Sequence, residues 1–265
     1  MNVVFLASGS KGNCTAVQAN GVNILIDVGI SMKKINKLLM IELGIDLENI
    51  DIILITHSHT DHVQSLKTIT NKYEHIKFVI PQEVRESILS ERKIRVDKSR
   101  VIDSGDYNKI SIREHKINHD VPTYIYRIID KGDAESYVHI SDNGGIYKHS
   151  VINWLKGATW YGIESNHDLT LQILDEKRNE LLKRRVLGYY GHTHNADAMN
   201  LAFRIVTPAT RGIIFHHLSE ECNSLELASK THQELIKVWG ERTKFKNIKI
   251  EYALQDKPVV LNYED

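Results

Sequence analysis

The sequence predicts an α/β fold in which two β-sheets pack face to face and helices cover their outer surfaces. Short apolar segments typical of strands recur along the whole chain, and segments with helical spacing lie between them. Hydrophobic residues make up 42% of the 265 residues, which is ample for a sizeable core. The sequence shows four prolines, no low-complexity linker and no fixed-period repeat, so we expect residues 1–265 to form a single domain.

Strands dominate the predicted first half of the chain. Strands at residues 3–6 and 23–27 are separated by the glycine-rich turn 8–13 and by a second turn at Asn20-Gly21. A helix capped by Ser31 is predicted to run to about Leu43. The remaining predicted elements are helices at 64–73 and 82–92, and strands at 52–55, 77–80, near Val101, 109–117, 124–129 and 137–140.

Helices and strands alternate in the predicted second half. A helix near residues 151–155 precedes a strand at 160–164, and a long charged helix is predicted over 169–185. The elements predicted after it are a helix at 196–204, a strand at 211–217, a helix at 224–239 and a last strand near 248–253.

The overall composition argues against several classes of protein. Lys plus Arg and Asp plus Glu both number 34, so the formal net charge is zero and no global field attracts nucleic acid or membranes. Cys14 and Cys222 cannot form a disulfide scaffold or a C-x-x-C metal site, which favours a reducing, cytoplasmic location. Residues 1–7 lack a basic leader with a long apolar core, and no apolar run reaches the length of a bilayer.

The most informative segment is Thr56-His57-Ser58-His59-Thr60-Asp61-His62, which follows the apolar strand. Imidazole and carboxylate ligands suit zinc, manganese or iron. Residues two apart in an extended segment point the same way, so His57 and His59 can share one ion while Asp61 and His62 face a second. The alternative is a helix capped by Thr60 or Asp61 with solvent-facing histidines, but a cap does not require three histidines. The segment therefore predicts metal-activated water and hydrolysis.

Three later residues are candidates for completing the metal centre, because each follows a predicted strand. His119 follows the strand ending at 117, Asp142 lies in the segment 140–144, and His217 ends the strand 211–217. Alone, each would more often be a turn former or a core histidine. Their shared position at strand ends favours a common site.

The ordered motifs along the chain are Leu6-Ala7-Ser8-Gly9-Ser10-Lys11-Gly12-Asn13, Ile26-Asp27-Val28-Gly29, the histidine motif, Asn118-His119-Asp120, Ile140-Ser141-Asp142-Asn143-Gly144, Glu164-Ser165-Asn166-His167-Asp168, Gly191-His192 and His217-Leu218-Ser219 with Cys222-Asn223. In this order they resemble metallo-β-lactamase-fold hydrolases of the YycJ/WalJ-type branch, which is related to ribonuclease Z. The resemblance implies a four-layer αββα sandwich and two divalent metal ions, zinc most of all and manganese as the alternative. By position it places His57, His59 and His119 on one ion, Asp61, His62 and His217 on the other, and Asp142 between them.

The same resemblance implies roles for a glutamate and a histidine beside the metals. In ribonuclease Z-like relatives a similar Glu and Gly-His pair flank the leaving group, so Glu164 would orient His192 as a proton donor or phosphate ligand. The alternative is a buried pair that only stabilises packing. With Asp61, these two residues are the candidate catalytic groups. His194 and Asn195 are candidate substrate-binding residues, although capping a helix is the more ordinary role for His194.

Three other segments are expected to have structural roles and not to bind metal or substrate. The turn Gly9-Ser10-Lys11-Gly12-Asn13 lacks the spacing of a phosphate-binding loop and is expected to shape the edge of the site. Asp27 is expected to anchor the ligand loop through backbone N–H groups. The basic run Lys183-Arg184-Arg185 is expected to serve solubility on a helix face.

Two metals and a Glu-His pair favour phosphodiester hydrolysis over attack on a β-lactam or thioester. A processive nuclease needs a basic track for the phosphates, and this neutral chain shows one short basic run. The sequence therefore favours a small cyclic nucleotide as substrate, as in the phage anti-Pycsar phosphodiesterases that destroy cyclic nucleotide immune signals. The alternatives are a YycJ-type DNA exonuclease and a nucleotide-binding or sequestering protein without catalysis. A homodimer is expected from the resemblance alone.

Overall fold

The computed structural model describes residues 1–145, 148–239 and 242–261. The strands are β1 (Asn2–Ala7), β2 (Cys14–Ala19), β3 (Val22–Ile26), β4 (Ile52–Leu54), β5 (Lys77–Val79), β6 (Gly105–Asp106), β7 (Ile110–Ile117), β8 (Thr123–Asp130), β9 (Ser136–Ile140), β10 (Trp160–Glu164), β11 (Gly212–His216), β12 (Lys249–Tyr252) and β13 (Val259–Leu261). The α-helices are α1 (Met32–Leu43), α2 (Thr60–Val63), α3 (Leu66–Lys72), α4 (Gln82–Ser87), α5 (His149–Leu155), α6 (Leu169–Leu174), α7 (Glu180–Leu187), α8 (Asn195–Ile205), α9 (Leu225–Val238) and α10 (Arg242–Phe245). A π-helix covers Ile88–Arg92.

The strands form two sheets. The order in the first is β13-β1-β2-β3-β4-β5, and the order in the second is β12-β11-β10-β9-β8-β7-β6. Strands β3, β4 and β5 run parallel, as do β9, β10, β11 and β12. Parallel neighbours end at the same edge of a sheet, so residues after them are brought together.

The core shows why the sheets form the two inner layers. Successive side chains of a strand point to opposite faces, and in β1 Val3 and Phe5 pack between the sheets, with Trp160 and Ile214 of the second sheet. Val4 and Leu6 point the other way and join the cluster that contains the α1 residues Ile35 and Leu39. On the outer face of the second sheet, Tyr161 and Ile213 pack with α8 residues such as Met199 and Ile205. The predicted α/β fold with two helix-covered sheets is confirmed.

The structure corrects the predicted long helix at residues 169–185. It consists of two short helices, α6 and α7, because side chains between them bond the backbone instead of continuing the helix. Asp175 Oδ1 accepts a hydrogen bond from the N–H of Lys177 at 2.8 Å. Asn179 caps α7 by accepting from the N–H of Leu182 at 2.8 Å. Asp and Asn favour such turns and caps over helix interiors.

Other differences are smaller. The helix predicted at 64–73 is observed as α3, and the short helix α2 that precedes it was not predicted. Ser65 lies between the two helices, and its hydroxyl donates to the carbonyl of Ile30 at 2.5 Å. The strand predicted near Val101 is an isolated bridge to Phe78. Strands β2, β6 and β13 were not predicted, so the strand near 248–253, observed as β12, is not the last. Every helix within the described residues is too short or too polar to cross a membrane.

Candidate metal centre

The predicted metal ligands meet where strands of both sheets end. The histidine motif follows β4 of the first sheet, whereas Asp142 follows β9 and His217 follows β11 of the second. His119 lies in the turn between β7 and β8. The fold thus brings together residues that are far apart in the sequence. His57 and His217 are 160 positions apart.

The ligand atoms form overlapping groups. His57, His59 and His119 offer atoms that all lie within 4.8 Å of one another, and so do Asp61, His62 and His217. Asp142 forms a third group with His57 and His62, which belong to different groups. Its Oδ2 lies 3.0 Å from His62 Nε2, and its Oδ1 lies 3.6 Å from His217 Nε2. The structure therefore places Asp142 between the two sets, as the resemblance implies.

Unpaired buried nitrogens show that these residues fit a metal. His57 Nε2, His119 Nε2 and His217 Nε2 are buried and have no hydrogen-bond partner within the described residues. Asp120 Oδ1 lies 3.2 Å from His119 Nε2 but outside hydrogen-bond geometry. A buried polar atom without a partner costs about 1–3 kcal/mol. Nitrogen and carboxylate donors are the ligands of zinc and of related divalent ions, which would satisfy these atoms.

The protonation states of the first group also suit a metal. Burial and the neighbouring histidines lower the pKa of His57 well below its usual value. Burial lowers the pKa of His59 and His119 as well, against the attraction of Asp142. These side chains are therefore neutral near pH 7, and neutral imidazole is the form that binds a metal.

Asp61 is ionised in the second group. Its burial alone would raise its pKa, but the charge of His62 and the nearby imidazole nitrogens of His217 and His62 lower the pKa far below the usual value. A carboxylate ready to bind a cation therefore faces the histidines of this group.

A network behind the motif orients His62. Asp27 accepts hydrogen bonds from the N–H and the hydroxyl of Thr56, both at 2.8 Å. The oxygen that accepts from the Thr56 hydroxyl, Oδ2, also lies 2.7 Å from His62 Nδ1. This contact fixes Nδ1 as the donor and leaves Nε2 facing Asp142 and Asp61. The predicted anchoring of the ligand loop by Asp27 is confirmed.

The glycine-rich turn holds Asp61 in place. The N–H of Asn13 donates to the carbonyl of Asp61 at 2.8 Å, and its side-chain nitrogen lies 3.0 Å from His62 Nε2. Gly29 packs so closely that a Cβ there would lie 1.6 Å from the carbonyl oxygen of Asp61. Only glycine fits at this position.

Three residues of the site have a strained backbone. Asp27, Asp142 and His217 have φ values of 60°, 49° and 60°, in the left-handed region that non-glycine residues rarely adopt. Such conformations cost on the order of 1–3 kcal/mol each and persist where the surroundings enforce them. For His217, Ser8 contributes by accepting the backbone N–H at 2.7 Å.

Glu164 and His192 form a short ion pair beside the metal ligands. Glu164 Oε1 lies 2.6 Å from His192 Nδ1, while Oε2 accepts from the N–H of Asn143 at 2.8 Å. Burial would raise the pKa of Glu164, but the charge and hydrogen bond of His192 outweigh burial and lower it to about 2. The ionised carboxylate fixes the proton on Nδ1 and leaves Nε2 as the ring nitrogen for a substrate.

A cavity of about 350 Å³ opens onto these residues. Its lining includes His59, Asp61, His119, Asp142, His192 and His217. Arg92, Arg178 and Arg185 line it as well. Sequence reasoning missed the three arginines, because they are distant in the chain and carry no motif.

The interpretation of the run 183–185 as a solubility feature is wrong for Arg185. Its Nε donates to Asp120 Oδ2 at 2.7 Å, and Asp120 Oδ1 lies 3.1 Å from His59 Nε2. The spacing of a charged helix face could not show which residue points toward the site.

His194 and Asn195, the candidate substrate-binding residues, do not line the cavity. His194 caps α8, where its Nδ1 accepts from the N–H of Asp197 at 3.4 Å. Asn195 is buried, and its side chain bonds Ser165 at 2.8 Å and Asn223 at 2.9 Å. The alternative role of His194 as a helix cap is therefore the observed one.

Comparison with known proteins finds related sequences and a shared fold. Residues 7–203 match the Metallo-beta-lactamase superfamily. Exodeoxyribonuclease WalJ of Streptococcus pneumoniae serotype 2 is 32% identical over 232 residues, which are 85% of this chain and 84% of that protein. The anti-Pycsar protein Apyc1 of Bacillus phage vB_BsuM-Goe3 is 35% identical over 97 residues, which are 33% of this chain and 36% of that protein. The crystal structure of the short form of human tRNase Z has the same fold, with a TM-score of 0.62, 15% identity and coverage of 98% of both chains.

Removal of single ligands tests the geometry. We expect the zinc-loaded protein to hold two metal equivalents and His59→Ala or Asp61→Ala to lose at least one, because each substitution removes a member of one group. Metal content after dialysis is measured by mass spectrometry, with melting temperature as a check on folding. The control is His75→Ala, which removes an exposed histidine outside the groups. Two equivalents retained in both ligand variants would contradict the assignment.

Proposed function

The chain belongs to the metallo-beta-lactamase superfamily, and we propose that it is a metal-dependent phosphodiesterase that hydrolyses small cyclic nucleotides. The observation that carries this proposal is the Glu164–His192 pair, 2.6 Å apart, in one cavity with the metal-binding groups. A proton donor is needed beside the metals when the leaving group is an alkoxide. The nuclease names of the WalJ and ribonuclease relatives support phosphodiesters as the substrate class.

We propose that the site holds two divalent ions, zinc in the first place and manganese as the alternative. His57, His59 and His119 would hold one ion, and Asp61, His62 and His217 the other, with Asp142 contributing to both. When bound, such ions activate water near neutral pH and neutralise charge on the phosphoryl oxygens.

His192 is the proposed proton donor to the leaving oxygen. Burial opposes its protonation, but the Glu164 carboxylate outweighs burial and raises the pKa of His192. The proton on Nδ1 remains on the ring and is hydrogen-bonded to Glu164. The proton given to the leaving oxygen is therefore the one on Nε2. Asp61, which also lines the cavity, is proposed to orient the attacking water.

The size and charge of the cavity support a small substrate. Its volume of about 350 Å³ lies at the lower end of the range for ligand pockets. Two of its arginines are already paired, Arg178 with Glu221 at 2.8 Å and Arg185 with Asp120 at 2.5 Å. Paired arginines offer little to a long polyanion, whose affinity depends on many phosphate contacts. A single cyclic phosphodiester, as the name of the anti-Pycsar relative suggests, requires few contacts.

A second candidate function is an exodeoxyribonuclease. The match to the relative of that name covers 85% of this chain, whereas the match to the anti-Pycsar protein covers 33%. The terminal nucleotide of a DNA strand would then enter the same cavity and use the same catalytic groups.

A substrate panel tests both candidates. The metal-loaded protein is incubated with the cyclic mononucleotides of all four RNA bases, and with end-labelled single-stranded and duplex DNA. We expect hydrolysis of at least one cyclic mononucleotide and a ~10²–10⁴-fold slower chemical step in His192→Ala, the usual effect of losing a general acid. His192→Ala should retain its metal, and His75→Ala serves as the matched control.

The outcomes separate the possibilities. Degradation of DNA without cyclic nucleotide hydrolysis would favour the exodeoxyribonuclease. Binding of nucleotides without turnover by any metal form would contradict hydrolysis and favour a sequestering protein.

We also propose a homodimer formed by the surface of α6, α7 and the residues that follow them. Its exposed apolar side chains are Leu169, Leu171, Ile173, Leu174, Leu181, Leu182, Leu187, Tyr189 and Tyr190. An apolar surface of this kind is typical of an interaction site. It also carries charges of both signs, such as Glu180 and Arg184, which can pair across a two-fold axis.

Light scattering in solution tests the dimer. We expect twice the chain mass for the wild-type protein and a monomer for the double variant Leu174→Asp, Leu181→Asp, because charge would be buried in the interface. Met40→Asp changes an exposed residue outside this surface and should leave the dimer intact. A monomeric wild-type protein would contradict the proposal.

A cytoplasmic location is proposed from the thiols. Cys14 and Cys222 are both free and buried. Free cysteines without a disulfide are typical of reducing compartments. Fractionation of cells that produce the protein would test it, and an extracellular pool would contradict it.

A further inference from the structure

We propose that Arg92 is a phosphate-binding residue, which holds a non-bridging oxygen of the substrate opposite the metal ligands. The proposal rests on the proposed phosphodiesterase function and adds a residue that positions its substrate. Arg92 lines the same cavity as His59, Asp61 and His192.

An unusual helical turn brings Arg92 to the cavity. Helix α4 continues directly into the π-helix, which is followed by Lys93 with a φ of 57° in the left-handed region. A π-helix is rare and is frequently found at functional sites, because its wider turn changes the direction of the side chains. Arg92 is the last residue of this turn.

Contacts of Ser58 fix the end of α4 and the π-helix to the ligand loop. Arg92 Nε donates to the carbonyl of Ser58 at 2.9 Å, and Ser58 lies between the predicted ligands His57 and His59. The hydroxyl of Ser58 lies 2.8 Å from that of Ser87 and donates to Glu91 Oε2 at 3.0 Å. The position of the guanidinium is therefore tied to the position of the metal ligands.

Charge distinguishes Arg92 from the other two arginines of the cavity. Arg178 and Arg185 form ion pairs with Glu221 and Asp120. Within the part of the chain that the structure describes, no ion pair joins Arg92 to a carboxylate. Its uncompensated charge therefore attracts an anion into the cavity.

The geometry of the side chain suits a phosphate. Nε is used by Ser58, which leaves the two terminal nitrogens of the guanidinium as donors. Arginine donates two parallel hydrogen bonds to phosphate oxygens, which lysine cannot do. The anchor at Nε therefore reduces the entropy lost when the phosphate binds.

The test compares Arg92→Gln and Arg92→Lys with Arg95→Gln. Arg95 is an exposed arginine three positions along the chain, and it does not line the cavity with the metal ligands. Binding of inorganic phosphate to the zinc-loaded protein is measured by titration calorimetry, together with metal content and with KM and kcat for bis-p-nitrophenyl phosphate. Calorimetry does not depend on turnover.

We expect Arg92→Gln to weaken phosphate binding by ~10–100-fold, the effect of losing hydrogen bonds to a charged group. Arg92→Lys should recover only part of the affinity, metal content should remain at two equivalents, and Arg95→Gln should bind as the wild type does. KM is expected to rise more than kcat falls.

Two results would overturn the proposal. One is unchanged phosphate binding in Arg92→Gln. The other is loss of metal in that variant, which would show that Arg92 only supports the loop at Ser58. If the wild-type protein binds phosphate through Arg92 but hydrolyses no phosphodiester, the proposed function fails and the assignment of Arg92 stands.

Discussion

The rest of the structure depends on one contact, that of the buried Asp142 carboxylate with His62, 3.0 Å away. Asp142 follows β9 of the second sheet and His62 follows β4 of the first, so this contact joins the two sheets at the site. It requires a left-handed backbone at Asp142 and the burial of several ionisable groups, both of which cost stability. Bound cations would offset this cost, since a ligand that binds only the folded state stabilises it. The arrangement that binds the metal ions therefore lowers the stability of the metal-free protein.

A second set of residues holds the ligands without contacting the cavity contents directly. Asp27 orients His62, the backbone of Asn13 holds Asp61, and Ser8 holds the backbone of His217. Ser8 and Asn13 lie between β1 and β2, and Asp27 directly follows β3, so these parts of the first sheet pack against both the motif and the end of β11. Glu164 plays the corresponding part for His192. Such supports fix ligand orientation and basicity.

The parts of the fold set by local patterns could be predicted from the sequence. The apolar runs at residues 3–6 and before His57 predicted strands, and residue spacing predicted that His57 and His59 share one ion while Asp61 and His62 face another. The resemblance to the family implied the complete ligand groups. The break between α6 and α7 was missed because the turn and cap formed by Asp175 and Asn179 compete with helical spacing. The arginines of the cavity were missed because the composition gives the net charge of the chain but not the positions of the charged side chains in the folded structure. That His194 caps α8 and that Asn195 is buried outside the cavity lining could not be predicted, because the Gly-His motif does not give the position of α8.

We propose that folding creates a two-metal centre around Asp142. Anomalous diffraction at the zinc edge from a crystal of the zinc-loaded protein is the decisive measurement. We expect two peaks ~3.5–4 Å apart, one among His57, His59 and His119 and the other among Asp61, His62 and His217, with Asp142 in contact with both. A single peak, or peaks that lie away from these residues, would contradict it.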